Sequence, residues 1–323
     1  MIDEVIDRDT LHAALELACR APSVHNTQPW TWALADHSIS LHADLRRWLP
    51  ATDPDGRDLV VSCGAALHHL GVALAAAGVR GTVHRLPNPD EPDHLATVEL
   101  SHGRGTDDEV LRAVDVDRRC SDRRPFRAWP VPGVTLVGLR DAAEEQGALL
   151  RVLGRGGDTS RMRADVRAAE LAQAATPGYE GELALWSGRT ADSDGVPAAN
   201  LTRTPEHTRT AGRRFVAGAL EVSEPELDGA ELLVVGTSSD DRLAQLRAGE
   251  ALSAVLLAAT RAGLASCTLT QVLEVPESRR ALRDGVLGGT LEPQVVVRVG
   301  WAPPGPSLPG TPRRPLTDVL TAV

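Results

Sequence analysis

Between Arg20 and Trp32 the chain reads Arg-Ala-Pro-Ser-Val-His-Asn-Thr-Gln-Pro-Trp-Thr-Trp, so Ser23, His25, Asn26 and Gln28 crowd hydrogen-bonding side chains between two prolines. Proline fixes φ and restrains its predecessor, so the backbone must turn sharply here. Such a turn either satisfies itself or presents a dense polar edge to a ligand. A second cluster, Arg119-Cys-Ser121-Asp-Arg123-Arg-Pro-Phe126, sets guanidiniums four apart around a hydroxyl. Residues i, i+2 and i+4 of a helix or tight turn can converge on one anion through paired N–H donors; the plainer alternative is a solvated basic face. A third basic run, Thr311-Pro-Arg313-Arg314-Pro-Leu316, lies near the C-terminus, and Leu269-Thr270-Gln271 ends the segment Gly263-Leu-Ala-Ser-Cys-Thr-Leu-Thr-Gln that follows a predicted helix.

The elements that position these residues follow from periodicity. Apolar residues at helical spacing over 11–19 predict a helix before the polar turn, and alternation over 30–34 predicts a strand after it. A weak internal repeat organises the rest. Gly64-Ala-Ala-Leu67 opens a helical run ending at Gly78, and Gly249-Glu-Ala-Leu252 opens another ending at Gly263, with the same fourteen-residue spacing. Each run is preceded by a strand-like segment (38–43 and 231–236) and followed by a connection and another strand (97–101 and 294–299). Gly78 and Gly263 stand where a left-handed helix cap is expected, and Asp240-Asp241 supplies an acidic N-terminus. The chain therefore reads as two α+β halves, 1–108 and 109–323, divided in the polar stretch 101–108. Residues 176–214 break the second half with a long polar excursion, either a lid or a surface insertion.

Composition excludes several classes of function. All 34 basic residues are arginine, which removes a lysine Schiff base and the Gly-Lys-Ser/Thr phosphate loop. The net charge of -10 disfavours nucleic acid and anionic membranes as partners, and no run of eighteen apolar residues predicts a membrane span. The imbalance is local: residues 1–108 carry 16 acids against 8 arginines, the remainder 28 against 26. Cys19, Cys63, Cys120 and Cys267 are scattered, and the acidic start lacks a leader-like pattern; both point to reduced thiols in a cytoplasmic protein. Nine of ten histidines precede residue 103, yet none has zinc spacing, so no metal is expected. His68 and His69 would diverge by about 100° on a helix. Gly154-Arg-Gly-Gly157 lacks the dinucleotide glycine spacing, and no Gly-x-Ser-x-Gly elbow occurs.

The motif Pro-Ser-x-x-Asn-x-Gln-Pro-Trp over 22–30 resembles the signature of the nitroreductase family of flavoproteins. Its fuller form, Ala-Pro-Ser-x-His-Asn-Thr-Gln-Pro-Trp, is similar to the Acg-type branch. That resemblance implies a nitroreductase-like α+β fold: two related halves, each a mostly antiparallel sheet flanked by helices, fused as an intramolecular pseudo-dimer. It implies FMN contacts from Arg20, Pro22, Ser23, His25, Asn26 and Gln28. Arg119, Ser121 and Arg123 would grip the FMN phosphate and ribityl chain, with Arg313, or Arg314 as fallback, as a final phosphate contact. Leu269, Thr270 and Gln271 would run beside the isoalloxazine, and the insertion at 176–214 would close over it. The implied activity is NAD(P)H-dependent hydride transfer through FMN to a small organic acceptor. Rival readings are a flavin-sequestering protein with little turnover, or an oxidase or dehydrogenase on the same scaffold. Each signature element occurs once, so one FMN per chain and a monomer, at most weakly self-associating, are expected. The family's usual lysine near the flavin is missing, so Arg123 or backbone amides would replace it. No catalytic acid or base is assigned; His25 is the nearest titratable group.

Overall fold

A computed structural model describes residues 6–154, 156–189, 194–203, 213, 215, 218–220 and 228–321. The chain opens with helix α1 (Arg8–Ala18), whose Leu11, Ala14, Leu15 and Ala18 form the buried stripe and whose N-terminus is capped by the Asp7 carboxylate. Strands β1 (Trp30–Leu34) and β2 (Ser38–Ala43) follow, then helix α2 (Arg57–Ala76), strands β3 (Val79–Arg85) and β4 (His94–His102), and helices α3 (Asp107–Arg118) and α4 (Gly133–Glu144). The second part contains β5 (Leu149–Val152), α5 (Gly157–Ala174), α6 (Tyr179–Trp186), β6 (Ser187–Arg189) and β7 (Val196–Pro197). It continues through β8 (Glu231–Thr237), α7 (Arg242–Arg261), β9 (Ala265–Leu269), α8 (Pro276–Gly285), β10 (Glu292–Gly300), α9 (Leu316–Val319) and β11 (Leu320–Thr321).

The described strands form two main sheets. One runs β11-β1-β2-β4-β3 and the other β5-β8-β10-β9. Setting β11 aside, the two orders correspond strand for strand, and every one of those neighbouring pairs is antiparallel. The exception, β11, pairs parallel to β1, so the chain's last segment crosses back to the first sheet. Helices α2 and α7 are each 20 residues long, and each ends two residues before a glycine at φ +75°. Sequence periodicity placed the helix starts too late: α2 begins at Arg57 and α7 at Arg242, where Asp241 accepts the Ala244 amide. It also passed over β3, whose Gly81 interrupts the Val79 and Val83 alternation.

The first core packs α1 and α2 on one sheet around the fully buried Trp30 and Trp32. The second sheet is covered on both faces: α4 and α7 on one side, α5 and α8 on the other. All seven residues of β8 are accordingly buried. Helix α2 is long and apolar enough to resemble a membrane span, with mean hydropathy 1.7, but 72% of that window is buried inside the fold. It is a core helix, crossing α7 where Gly64 and Gly249 meet.

Candidate functional site

The polar turn after α1 is strained. His25, Asn26 and Gln28 take φ of +46°, +55° and +50°, the left-handed region that side chains with a Cβ avoid. Local bonds hold them there: the Gln28 amide donates to Ser23 Oγ (3.0 Å), Thr27 Oγ1 to the Val24 carbonyl (2.9 Å), and the Val24 amide to Ser62 Oγ on α2 (3.1 Å). Asn26 Nδ2 donates to the carbonyls of Gly195 (2.9 Å) and Pro312 (3.0 Å), while Arg313 Nη1 donates to its Oδ1 (3.1 Å). Gln28 Oε1 accepts the Arg314 amide at 2.8 Å, and Arg314 Nη1 reaches the Gln28 carbonyl at 3.1 Å. The C-terminal run is thus stapled to this turn. We expect Asn26→Ala to lower stability by about 2–3 kcal/mol, through lost buried hydrogen bonds and unrelieved backbone strain. Urea unfolding measures this, and faster proteolysis beyond residue 310 would show the staple released.

A cavity of about 570 Å³ opens beside the turn, where three sequence-distant segments converge. Of the fourteen residues expected at the site, Pro22, Ser23, His25, Ser121, Arg123, Leu269, Thr270 and Gln271 line it. Arg20, Asn26, Gln28, Arg119, Arg313 and Arg314 lie outside that lining. Asn26, Gln28 and Arg314 serve the staple. Arg20, Arg119 and Arg313 gather behind the turn, where burial and neighbouring positive charge lower Arg119 to about 10 and Arg313 to about 9. Arg20 pairs with Asp117 at 2.7 Å, but the Nε of Arg119 and that of Arg313 are buried with no acceptor among the described residues. Two such donors ask for an anion.

The Ser121 segment is placed by pairing with edge strand β9: Ser121 bridges Ser266, and the Asp122 amide donates to the Ser266 carbonyl (2.8 Å). Arg123 donates to the Asn200 carbonyl (3.1 Å) and stacks 5.8 Å from the Phe215 ring. Beyond it a polar network closes one end of the cavity. Arg213 donates to Tyr179 Oη (2.6 Å), to His25 Nε2 (3.1 Å) and to the Glu274 carboxylate. Glu274 also accepts from Thr270 Oγ1 (2.7 Å) and Gln173 Nε2 (2.6 Å). Burial first, then the charges of Arg213 and Arg123, push the His25 imidazole well below its ordinary range, so it is neutral and accepts rather than donates. The lid expected over 176–214 falls only in part within the described residues: α6, β6, β7 and Arg213 are placed, whereas 190–193, 204–212 and 214 lie outside them.

Several lining residues went unread in the sequence. Arg298 interrupts the apolar run of β10, a charge in a buried strand that could have flagged it; it donates to Asp228 Oδ2 (2.6 Å), yet its Nε is buried without an acceptor among the described residues. Asp58 and Ser62 reach the cavity from α2, and Arg163 and Arg167 from α5. Walls of Val61, Leu252, Leu269 and Val295 face these polar groups. The site is built to hold a ligand with an apolar body, a hydrogen-bonding rim and negative charge.

No family model matches the chain. A Mycobacterium tuberculosis protein named "Putative NAD(P)H nitroreductase Rv3131" is 43% identical over 318 residues, covering 97% of this chain and 92% of the relative. "Putative NAD(P)H nitroreductase acg" from the same organism is 39% identical over 329 residues, 99% and 98% of the two. A solved structure of a nitroreductase with bound FMN from Desulfitobacterium hafniense DCB-2 covers 66% of this chain and 98% of its own, at 16% identity and a TM-score of 0.42. The chain belongs to the nitroreductase family, in the branch that contains Acg. The resemblance carried by residues 21–30 is borne out over nearly the whole length.

Proposed function

We propose that this chain binds one FMN in the 570 Å³ cavity and uses NAD(P)H to reduce a small organic acceptor. The observation that carries the reading is the meeting of Pro22–His25, Ser121–Arg123 and Leu269–Gln271 around a single space, although up to 249 positions separate them in sequence. Relatives named as NAD(P)H nitroreductases support it. The residues fit the cofactor. Val61, Leu252 and Val295 offer an apolar wall to a tricyclic ring, Ser121 and Thr202 offer hydroxyls to a ribityl chain, and Arg123 and Arg298 bring positive charge. The unpaired Nε atoms of Arg119 and Arg313 are donors suited to a phosphate behind the turn.

When bound, FMN supplies the hydride chemistry; the chain's residues position, shield and balance charge. Without lysine, Arg123 and Arg298 would balance the negative charge that a bound flavin gains on reduction. His25, held neutral, orients the turn and acts as no acid. We read residues 1–108 and 109–323 as fused repeats of a monomeric cytoplasmic protein; the matching strand orders support the repeat.

A second reading, flavin sequestration with little turnover, draws on Arg213 and Phe215. Both reach into the cavity, and Arg213 is locked to Tyr179, His25 and Glu274. The visible spectrum of purified protein with added FMN, followed by anaerobic NADPH, separates the readings. Bound flavin that bleaches rapidly supports the reductase; bound flavin that does not bleach supports sequestration. No flavin binding would remove both. Arg123→Ala with Ser121→Ala is expected to weaken FMN binding by about 2–4 kcal/mol, read by fluorescence titration; unchanged affinity would place the ribityl chain and the flavin's negative charge elsewhere.

A further inference from the structure

Among the described residues, five arginines line the cavity, and three are committed. Arg123 is held by Asn200, Arg213 by Glu274, and Arg298 by Asp228. Arg163 and Arg167 differ: among the described residues neither makes a hydrogen bond or ion pair, and both are exposed at the cavity edge. They sit one turn apart on α5, so their side chains emerge about 5–6 Å from each other on one face. Ser160, on the same face, adds a hydroxyl. Glu170, the acid nearest along that face, has a partner of its own. Two like charges at this spacing repel each other in the absence of an anion, and paired guanidiniums are suited to fork a phosphate.

We propose that Arg163 and Arg167 form a clamp for a phosphate monoester dianion at the cavity mouth. This rests on the nucleotide-dependent reading above. Two sources carry that chemistry: the 2′-phosphate that distinguishes NADPH from NADH, and the 5′-phosphate that distinguishes FMN from riboflavin. The FMN phosphate already has the buried donors of Arg119 and Arg313 as a counterpart, which favours the dinucleotide at the mouth.

The test compares wild type with the Arg163→Ala/Arg167→Ala variant, by calorimetry, using adenosine 2′,5′-bisphosphate, 5′-AMP, FMN and riboflavin. Wild type should bind the bisphosphate more tightly than 5′-AMP, and the variant should lose about tenfold or more of that difference with FMN affinity unchanged. Loss of FMN-over-riboflavin preference instead, with bisphosphate binding unaltered, would keep the phosphate clamp and assign it to the flavin. Equal affinities of wild type and variant for all four ligands would overturn it. A protein that rejects flavin yet binds the bisphosphate through these arginines would retire the flavin reading and leave the clamp standing.

Discussion

Replacing Gly249 by alanine is expected to destabilise the fold by about 3 kcal/mol or more, although alanine is the better helix former by about 1 kcal/mol. A Cβ at this position would stand 2.0 Å from the Val61 carbonyl oxygen and 2.8 Å from Gly64 Cα. At Gly64 the same atom would stand 2.1 Å from the Leu246 carbonyl oxygen. Both obstacles are backbone of the opposing helix, so no rotamer change relieves them. The α2 and α7 helices would have to separate along their crossing, opening voids beside Val61 and Leu252. Since both of those residues also face the cavity, Gly249→Ala should weaken FMN binding as well as lower the urea midpoint. Gly71 supplies the control. It lies on the same helix as Gly64, exposed, and a Cβ added there would meet nothing within 4 Å. Gly71→Ala should therefore stabilise by about 0.5–1 kcal/mol. Equal behaviour of the two variants would mean the crossing is looser than these distances imply.

The glycine pair also shows what the sequence made legible. Its repeat spacing gave the two long helices and their caps, because a left-handed cap and an amphipathic run are local features. The tight crossing was not legible, since contact between Gly64 and Gly249 depends on how two distant helices pack. The site divided in the same way. Pro22, Ser23 and His25 could be placed by motif, and the structure puts them at the cavity. Asn26 and Gln28 carry the same motif, yet they turn away to bind the C-terminal run, a partner 286 positions distant in the Gln28 case. Arg213 stands in a polar segment with no periodicity, and its role emerges only from the buried Glu274 opposite it. Arg163 and Arg167 are exposed on α5, and nothing in their local sequence sets them apart; only the cavity beside them does.

Three histidines, His69 buried and His25 and His68 half-buried, should make the fold acid-sensitive in a way that can be read residue by residue. Burial holds His68 down to about 4, and it places His25 and His69 well below their ordinary range; nearby arginine charge adds to each. In the unfolded chain each titrates near about 6.5. Between those values the unfolded state binds protons that the folded state refuses, so each histidine's contribution to stability is intact above about pH 6.5 and is lost as pH falls below it. From about pH 7 to about pH 5.5 the loss is about 1.2 kcal/mol per histidine, or about 4 kcal/mol for the three. Buried carboxyls oppose it: burial raises Asp53 to about 7 and raises Glu250 as well, so both favour the folded state as pH falls. The wild-type slope is the difference of these effects, and single variants separate them. His68→Gln gives up the 2.8 Å contact with Ser253 and will differ from wild type in absolute stability. Its fall in unfolding free energy between the two pH values should nevertheless be about 1.2 kcal/mol smaller than wild type's, and that of His69→Gln likewise. A variant whose pH dependence matches wild type's would show that its histidine is able to protonate in the folded protein, and so is not held neutral by the α2 environment.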